Sequence, residues 1–282
     1  MKILVIGGTS SLGNALKPVL SEFSEVVTAG RKDCDITLDI SEPMEKISIP
    51  FNIDTVIHMA ANFVDTTPQE ILQTETVNAL GTLKLCLAAA QAKVKHFILI
   101  SSMSACLKEN SEYYSLYSLS KKHSEELASF ICTKLFLPLT ILRPSQIYGN
   151  EESFKKHQPF IYSMINKAES GEDITIYGSH DALRNYIHVD DLTKIISKVV
   201  QNKIEGIYSC MYSSNVTYSQ IAKAALSAFK SKAKIRFLKN KPNIPDNIFE
   251  KDNSLYEKIE FYPQISIEEG MKKIALYRSS CL

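Results

Sequence analysis

The sequence predicts an α/β protein: a doubly wound parallel sheet followed by a smaller C-terminal α/β lobe. Three observations predict it. Short β-branched runs alternate with helical stretches through the first two-thirds of the chain. A glycine-bearing turn joins the first strand to the first helix. After about Gly149 the alternation gives way to short strands, turns and helices. At 282 residues the chain is long for one simple core and suits one large unit plus an elaboration.

Taken in order, residues 2–6, 26–29, 55–58, 97–101 and 139–142 read as strands. Residues 12–23, 70–92 and 116–135 read as helices, the last closed by Pro138. Strands alternating with helices imply parallel βαβ units with right-handed crossovers. The expected nucleotide-binding domain covers 1–150, with about 182–206 returning to it. Residues from about 151–181 and 207–282 are expected to form a substrate-binding lobe over the carboxyl ends of the strands, where ligands sit in open α/β sheets. Residues 230–261, charged and carrying Pro242 and Pro245, read as irregular. No internal repeat and no hinge-like linker is visible.

Composition narrows the function classes. Hydrophobic residues make up 45% and charged residues 22%, as in ordinary globular enzymes. Thirty-two Lys+Arg against 31 Asp+Glu leave a net charge of +1, so no basic field points to nucleic acid. The apolar run Ile3-Leu4-Val5-Ile6 is too short for a signal-peptide core. No stretch approaches the roughly 18 apolar residues of a membrane span. The six cysteines (Cys34, Cys86, Cys106, Cys132, Cys210 and Cys281) are scattered without a CxxC pair, and they read as reduced thiols of a cytoplasmic protein.

The first chemical signal is Gly7-Gly8-Thr9-Ser10-Ser11-Leu12-Gly13, directly after the first strand. Such a turn needs little side-chain bulk, so that backbone N–H groups and a helix N-terminus can meet a pyrophosphate. This predicts a Rossmann-type cofactor cradle from Gly7, Thr9, Ser10, Ser11, Leu12 and Gly13, although Ser10 stands where a middle glycine is expected. A plain strand-to-helix turn is the competing reading. At the end of the second strand, Arg31-Lys32 suits the 2′-phosphate of NADP(H), while Asp33 would suit the 2′-OH of NAD(H). A solvated basic pair is the bland alternative.

Tyr117-Ser118-Leu119-Ser120-Lys121 places a tyrosine and a lysine four apart, on one helix face. A nearby ammonium stabilises phenolate, which suits the tyrosine to proton exchange with a hydroxyl or carbonyl. Upstream, Ser101-Ser102 sits at the end of a strand, where a serine can bond the same reacting oxygen.

The order of these motifs resembles the extended short-chain dehydrogenase/reductases, the NAD-dependent epimerase/dehydratase family of sugar-nucleotide enzymes. Asp39-Ile40 resembles the family's adenine-contacting Asp-Leu. His58-Met59-Ala60-Ala61 resembles HxAA, Asn78-Ala79-Leu80-Gly81-Thr82 resembles NxxGT, and Tyr117, Lys121 and Glu125 resemble YxxxKxxxE. The segment from Arg143-Pro144 to Gln146, Tyr148 and Gly149 resembles RPxxxYG. Arg184 to Asp191 resembles RdfvhVdD, and the pattern from Phe261 to Gly270 matches the family's end.

The resemblance implies an enzyme with Tyr117 as acid/base, Lys121 holding the nicotinamide ribose, and Ser102 (or its rival Ser104) orienting the carbonyl. Met59, Ala60, Ala61, Asn78 and Pro144 would join the cofactor site. Gln146, His157 and Arg184 would meet the sugar nucleotide. For Arg184 an ion pair with Asp190 or Asp191 is the alternative. No metal is implied. Met103-Ser104 after Ser102 replaces the acidic pair of the family's dehydratases, which disfavours elimination of water. An NADP(H)-linked 4-ketoreductase is therefore expected, with an NAD-retaining 4-epimerase and a catalytically silent nucleotide binder as alternatives. The resemblance also implies a homodimer paired through the helices near 78–92 and 116–135.

Overall fold

The computed structural model describes residues 1–280, so Cys281 lies outside the described residues. The chain divides into two compact units. The first comprises Met1–Pro144, Thr193–Cys210 and Asp252–Phe261; the second comprises Ser145–Leu192, Met211–Lys251 and Tyr262–Leu282.

Within the first unit, β1 (Lys2–Ile6), β2 (Glu25–Gly30), β3 (Ile36–Thr37), β4 (Thr55–His58), β5 (His96–Ile100), β6 (Leu139–Pro144) and β11 (Gly206–Cys210) form one parallel sheet in the order β11-β6-β5-β4-β1-β2-β3. The order reverses beside β1, which is the switch point where open α/β sheets take ligands. The interior strands β4 and β5 are buried at every position and mostly apolar, as parallel strands covered on both faces are, with their polar residues Thr55, His58 and His96 at strand ends. One face carries α1 (Ser11–Ser21). Leu4, Ile6, Val56, Phe97, Leu99 and Ile141 pack with Leu85, Cys86, Ala89 and Ala128 from helices α3 (Gly81–Gln91) and α4 (Leu116–Lys134).

The stretch expected as one helix over 70–92 is α2 (Pro68–Glu75) running into α3 through a π turn, Thr76–Leu80. Its hallmark is the Gly81 N–H donating to the Thr76 carbonyl, five residues back. Thr67 and Glu70 start α2 with a reciprocal capping box, and Pro68 fits the first helical turn, where no N–H is needed.

The second unit is built from short pairs. Parallel β7 (Gln146–Tyr148) and β10 (Tyr186–His188), antiparallel β9 (Leu183–Arg184) and β12 (Val216–Thr217), and parallel β8 (Ile174–Tyr177) and β13 (Ile235–Leu238) surround helices α5 (Pro159–Ser170), α7 (Tyr218–Ala228) and α9 (Ile267–Ser280). Helix α6 (Val189–Asn202) follows β10 directly. The stretch 230–261 is more regular than its composition suggests: it holds β13, and α8 (Ser254–Ile259) belongs to the first unit. Its prolines sit between those elements, where they cost no hydrogen bonds.

Candidate active site

The turn after β1 is tight because its glycines leave no room for a Cβ. Gly7 has φ +90, and a Cβ there would lie 2.9 Å from the Ala60 nitrogen. A Cβ on Gly13 would lie 2.5 Å from the Gly8 carbonyl oxygen. Ser10, in ordinary extended backbone, caps α1 by accepting the Gly13 N–H at 3.0 Å. The Asn14 N–H goes to the Ser10 carbonyl. The amides of Ser11 and Leu12, the first of the helix, have no carbonyl four residues back to meet, and they point toward whatever approaches the helix start. Backbone amides at a helix start with so little side-chain bulk beside them suit the phosphates of a dinucleotide.

The neighbouring strand ends close around it. Met59 Sδ accepts the Ser10 hydroxyl at 3.6 Å, and Ala60 lies against Gly7. Ala61 follows, partly buried. Asp39 Oδ1 accepts both the amide (2.9 Å) and the hydroxyl (2.7 Å) of Ser41, and the Arg31 charge helps to keep the Asp39 carboxyl below its usual range. Ile40 is buried against Gly81. Arg31, Lys32 and Asp33 are exposed, with Asp33 in left-handed backbone at φ 53.

The carboxyl end of β5 and helix α4 hold the reactive groups together. Ser115 caps α4 by accepting the Ser118 N–H. On the first turns of α4, Tyr117 hydrogen-bonds Ser102, and burial pushes its hydroxyl well above the usual tyrosine range. Lys121, 3% exposed, donates from Nζ to the Ile100 carbonyl at 2.9 Å and lies 6.0 Å from the Tyr117 ring centre. Burial draws this ammonium down to about 8, against the pull of the Glu125 charge. A phenol bonded to a serine hydroxyl beside a buried ammonium can give a proton to a carbonyl oxygen or take one from a hydroxyl. Ser104 bonds inward, its amide donating to Ser102 Oγ at 3.1 Å.

Phe63 and the partners of Asn78 carry no signal of their own in the sequence. The Phe63 ring stacks on Tyr117 at 4.5 Å and 22°. Asn78, 2% exposed in the π turn, donates to the Asn62 carbonyl (2.8 Å) and Ser120 Oγ (2.9 Å), and accepts the Asn62 N–H at 2.7 Å. One side chain thus ties the loop bearing Phe63 to the helix bearing Tyr117. Ser120 lies inside the quoted YxxxK stretch, so its partner was half legible; Phe63 follows HxAA with no periodic signal of its own.

His58 contributes fixed polarity below the site. The Thr82 hydroxyl donates to the Asn78 carbonyl at 2.6 Å, so His58 Nε2, 3.1 Å from Thr82 Oγ1, must carry the proton. Burial and the Lys121 charge push His58 down to about 3, so it stays neutral.

The remaining candidates lie near or beyond Pro144, the buried last residue of β6. In the second unit Gln146 keeps a buried carbonyl oxygen and donates at 3.1 Å to Gln158, the neighbour along the chain of an exposed His157. Arg184, 2% exposed, donates to the Leu183 (2.7 Å) and Pro245 (2.8 Å) carbonyls and lies 4.7 Å over the Tyr218 ring. The two acidic candidates for its partner are held elsewhere as well. Asp190 meets Lys273 at 3.2 Å, and Asp191 accepts the Gln264 and Ile265 amides. Among the described residues, no group of three or more His, Cys, Asp or Glu side chains could hold a metal ion, and no helix is long and apolar enough to cross a membrane.

Known proteins resemble this chain in the same terms. It is 26% identical over 209 residues (66% of the chain, 48% of the relative) to the dTDP-D-glucose 4,6-dehydratase of Dictyostelium discoideum. It is 25% identical over 161 residues (56% of the chain, 49% of the relative) to a dTDP-4-dehydro-6-deoxy-D-allose reductase of Streptomyces bikiniensis. The chain spans about half the length of these curated relatives. Its fold is that of a solved UDP-glucuronic acid 4-epimerase from Bacillus cereus in complex with NAD, with a TM-score of 0.79 at 20% identity over 100% of this chain and 99% of that one. The family match itself extends across the whole parallel sheet, from the first strand through β11. With residues 3–210 matched, this chain belongs to the NAD dependent epimerase/dehydratase family.

Proposed function

We propose that the chain is an NADP(H)-linked 4-ketoreductase of sugar nucleotides. The observation that carries the reading is the Ser102–Tyr117–Lys121 arrangement, with a partly buried phenol bonded to a serine hydroxyl and a buried ammonium one helical turn away. The nicotinamide, when bound, supplies the hydride to the ring carbonyl carbon. Ser102 holds the carbonyl oxygen and Tyr117 gives it a proton. Lys121 steadies the resulting phenolate until solvent restores the proton, and its remaining N–H groups suit the ribose hydroxyls.

The Gly7–Gly13 turn, Met59, Ala60, Ala61, Asn78 and Pro144 would border the cofactor, with Asp39 and Ile40 at the adenine. Arg31 would take the 2′-phosphate, for which a guanidinium is the better match. Gln146, Ser104, His157 and Arg184 would serve the sugar nucleotide. The alternative, a 4-epimerase that retains NAD, is favoured by the fold likeness to a 4-epimerase holding NAD.

Purified protein offered NADPH, NADH and a panel of 4-keto sugar nucleotides is expected to consume NADPH. Tightly retained NAD with no NADPH consumption would favour the epimerase and end the reductase reading. Tyr117→Phe is expected to lower kcat at least about 100-fold with cofactor affinity unchanged; persisting turnover would remove Tyr117 from its role. A homodimer paired through the stretches near 78–92 and 116–135 belongs to the same reading: Leu80 and Phe130 there are 50% and 67% exposed, large apolar side chains that a second copy would cover. Light scattering at the monomer mass would end it.

A further inference from the structure

Three successive residues at the carboxyl end of β5 hold three successive turns of α4. Ser102 bonds Tyr117, the Ile100 carbonyl accepts Lys121, and the Ser101 hydroxyl donates to Glu125 Oε1. Only the first two rungs enter the chemistry above. The third is a carboxylate 5% exposed, gripped by Arg143, whose Nε lies 3.0 Å from Oε1 and 3.1 Å from Oε2, and whose Nη2 bonds Oε2. Burying a carboxylate and a guanidinium together is costly, and a pair of apolar side chains of similar volume would often serve packing as well.

What such a pair would not supply is a negative charge one turn behind Lys121. The ammonium's acceptor at Ile100 is a neutral carbonyl. The titratable groups around it are few. Tyr117 and Glu125 share its helix. His58 on β4 is held neutral, Arg143 on β6 is positive, and burial raises the Cys106 thiol in the 103–106 turn, keeping it neutral. Among these groups, Glu125 is the one anion.

We propose that Glu125 is a positioning residue: its carboxylate keeps the Lys121 ammonium charged and pinned to the Ile100 carbonyl, below the Tyr117 hydroxyl. The inference rests on the Tyr117/Lys121 reading for its catalytic meaning. The Glu125 charge raises Lys121 against a burial that lowers it. Without that charge burial would act on the lysine unopposed, so it would give up its proton at lower pH and a phenolate at Tyr117 would lose its counter-charge.

The test is a titration of the Lys121 side chain by NMR in the full chain, its resonance assigned by loss in Lys121→Met. In Glu125→Gln, which keeps the shape and the hydrogen-bonding oxygen, the midpoint is expected to fall by about one pH unit or more. The alkaline limb of kcat is expected to move down with it while KM stays within about twofold. An unmoved midpoint in the folded variant would leave Glu125 as a structural tie for Arg143 and overturn the proposal. Should the lone guanidinium prevent folding, the comparison is made between Arg143→Met and Glu125→Gln/Arg143→Met. The midpoint must then be lower in the double variant, and equal midpoints overturn the proposal. Because the titration needs no turnover, a protein inactive on every sugar nucleotide would count against the function and leave this result standing.

Discussion

Asn78 holds three groups: it bonds both the amide and the carbonyl of Asn62, and it donates to the Ser120 hydroxyl, which itself donates to the Tyr117 carbonyl. Replacing it by alanine leaves the Asn62 amide and carbonyl without these partners, while Ser120 keeps its bond to the Tyr117 carbonyl. Asn78→Ala is therefore expected to cost about 1–3 kcal/mol of stability, read as a lower urea midpoint. It should also free the Phe63 ring from its stack on Tyr117, so kcat is expected to fall by more than KM changes. A variant as stable as the parent would mean that the Asn62–Phe63 loop is held by other contacts. The residue scale is also where the sequence was least legible. Tyr117 and Lys121 announce themselves by spacing. Asn78 was identified through its motif, but its partners were not, because a π turn shifts a side chain off the regular helical face and no 3.6-residue period reports that shift.

At the scale of elements, the turn from β1 into α1 shows why Ser10 stands where a glycine is expected. Its φ of −69 and ψ of 161 are open to any residue, so glycine's freedom has no value there, whereas a hydroxyl caps the helix. Ser10→Ala is expected to lose about 1 kcal/mol and Ser10→Gly only a few tenths. Thermal unfolding of the pair checks the order, and equal losses would mean the cap contributes nothing. Gly13 is the opposite case. An added Cβ meets backbone oxygens at 2.5 and 2.7 Å that no side-chain rotation can clear. Gly13→Ala is expected to cost about 1–3 kcal/mol and to abolish cofactor binding measured by NADPH fluorescence.

The elements themselves were largely legible, for a physical reason. Buried parallel strands such as Thr55–His58 are apolar in their interior, and their β-branched runs stand out between the helical stretches. What stayed hidden was short. β3 has two residues, and β13 lies in a lysine-rich stretch whose strand character comes from pairing with β8 rather than from its own composition.

The molecule as a whole carries a pH liability in its buried histidines. His58, His96 and His188 are 1%, 3% and 0% exposed, and burial pushes them down to about 3, 4 and 4. His96 repeats the arrangement at His58: the Thr140 hydroxyl donates to the Ile204 carbonyl, so His96 Nε2 donates to Thr140 Oγ1 at 2.7 Å. In the unfolded chain each imidazole takes a proton near pH 6.5. In the native state they refuse it until pH 3–4, so between these limits the unfolded state binds more protons and stability must fall as pH falls. The loss approaches about 1.4 kcal/mol per pH unit for each site once the unfolded histidines are protonated. The carboxylates held low by their partners, Asp39 and Asp54 among them, add to acid sensitivity only near and below their ordinary value of 3.8, so the histidine loss comes first. Urea unfolding is expected to show a flat midpoint from pH 8 to 7 and a steep fall from 6.5 to 4.5. His96→Gln, whose amide can still donate to Thr140, is expected to reduce the slope by about one proton. A midpoint that stays level down to pH 4.5 would mean these imidazoles accept protons in place, and that the donor role assigned to Nε2 of His58 and His96 does not hold the neutral form.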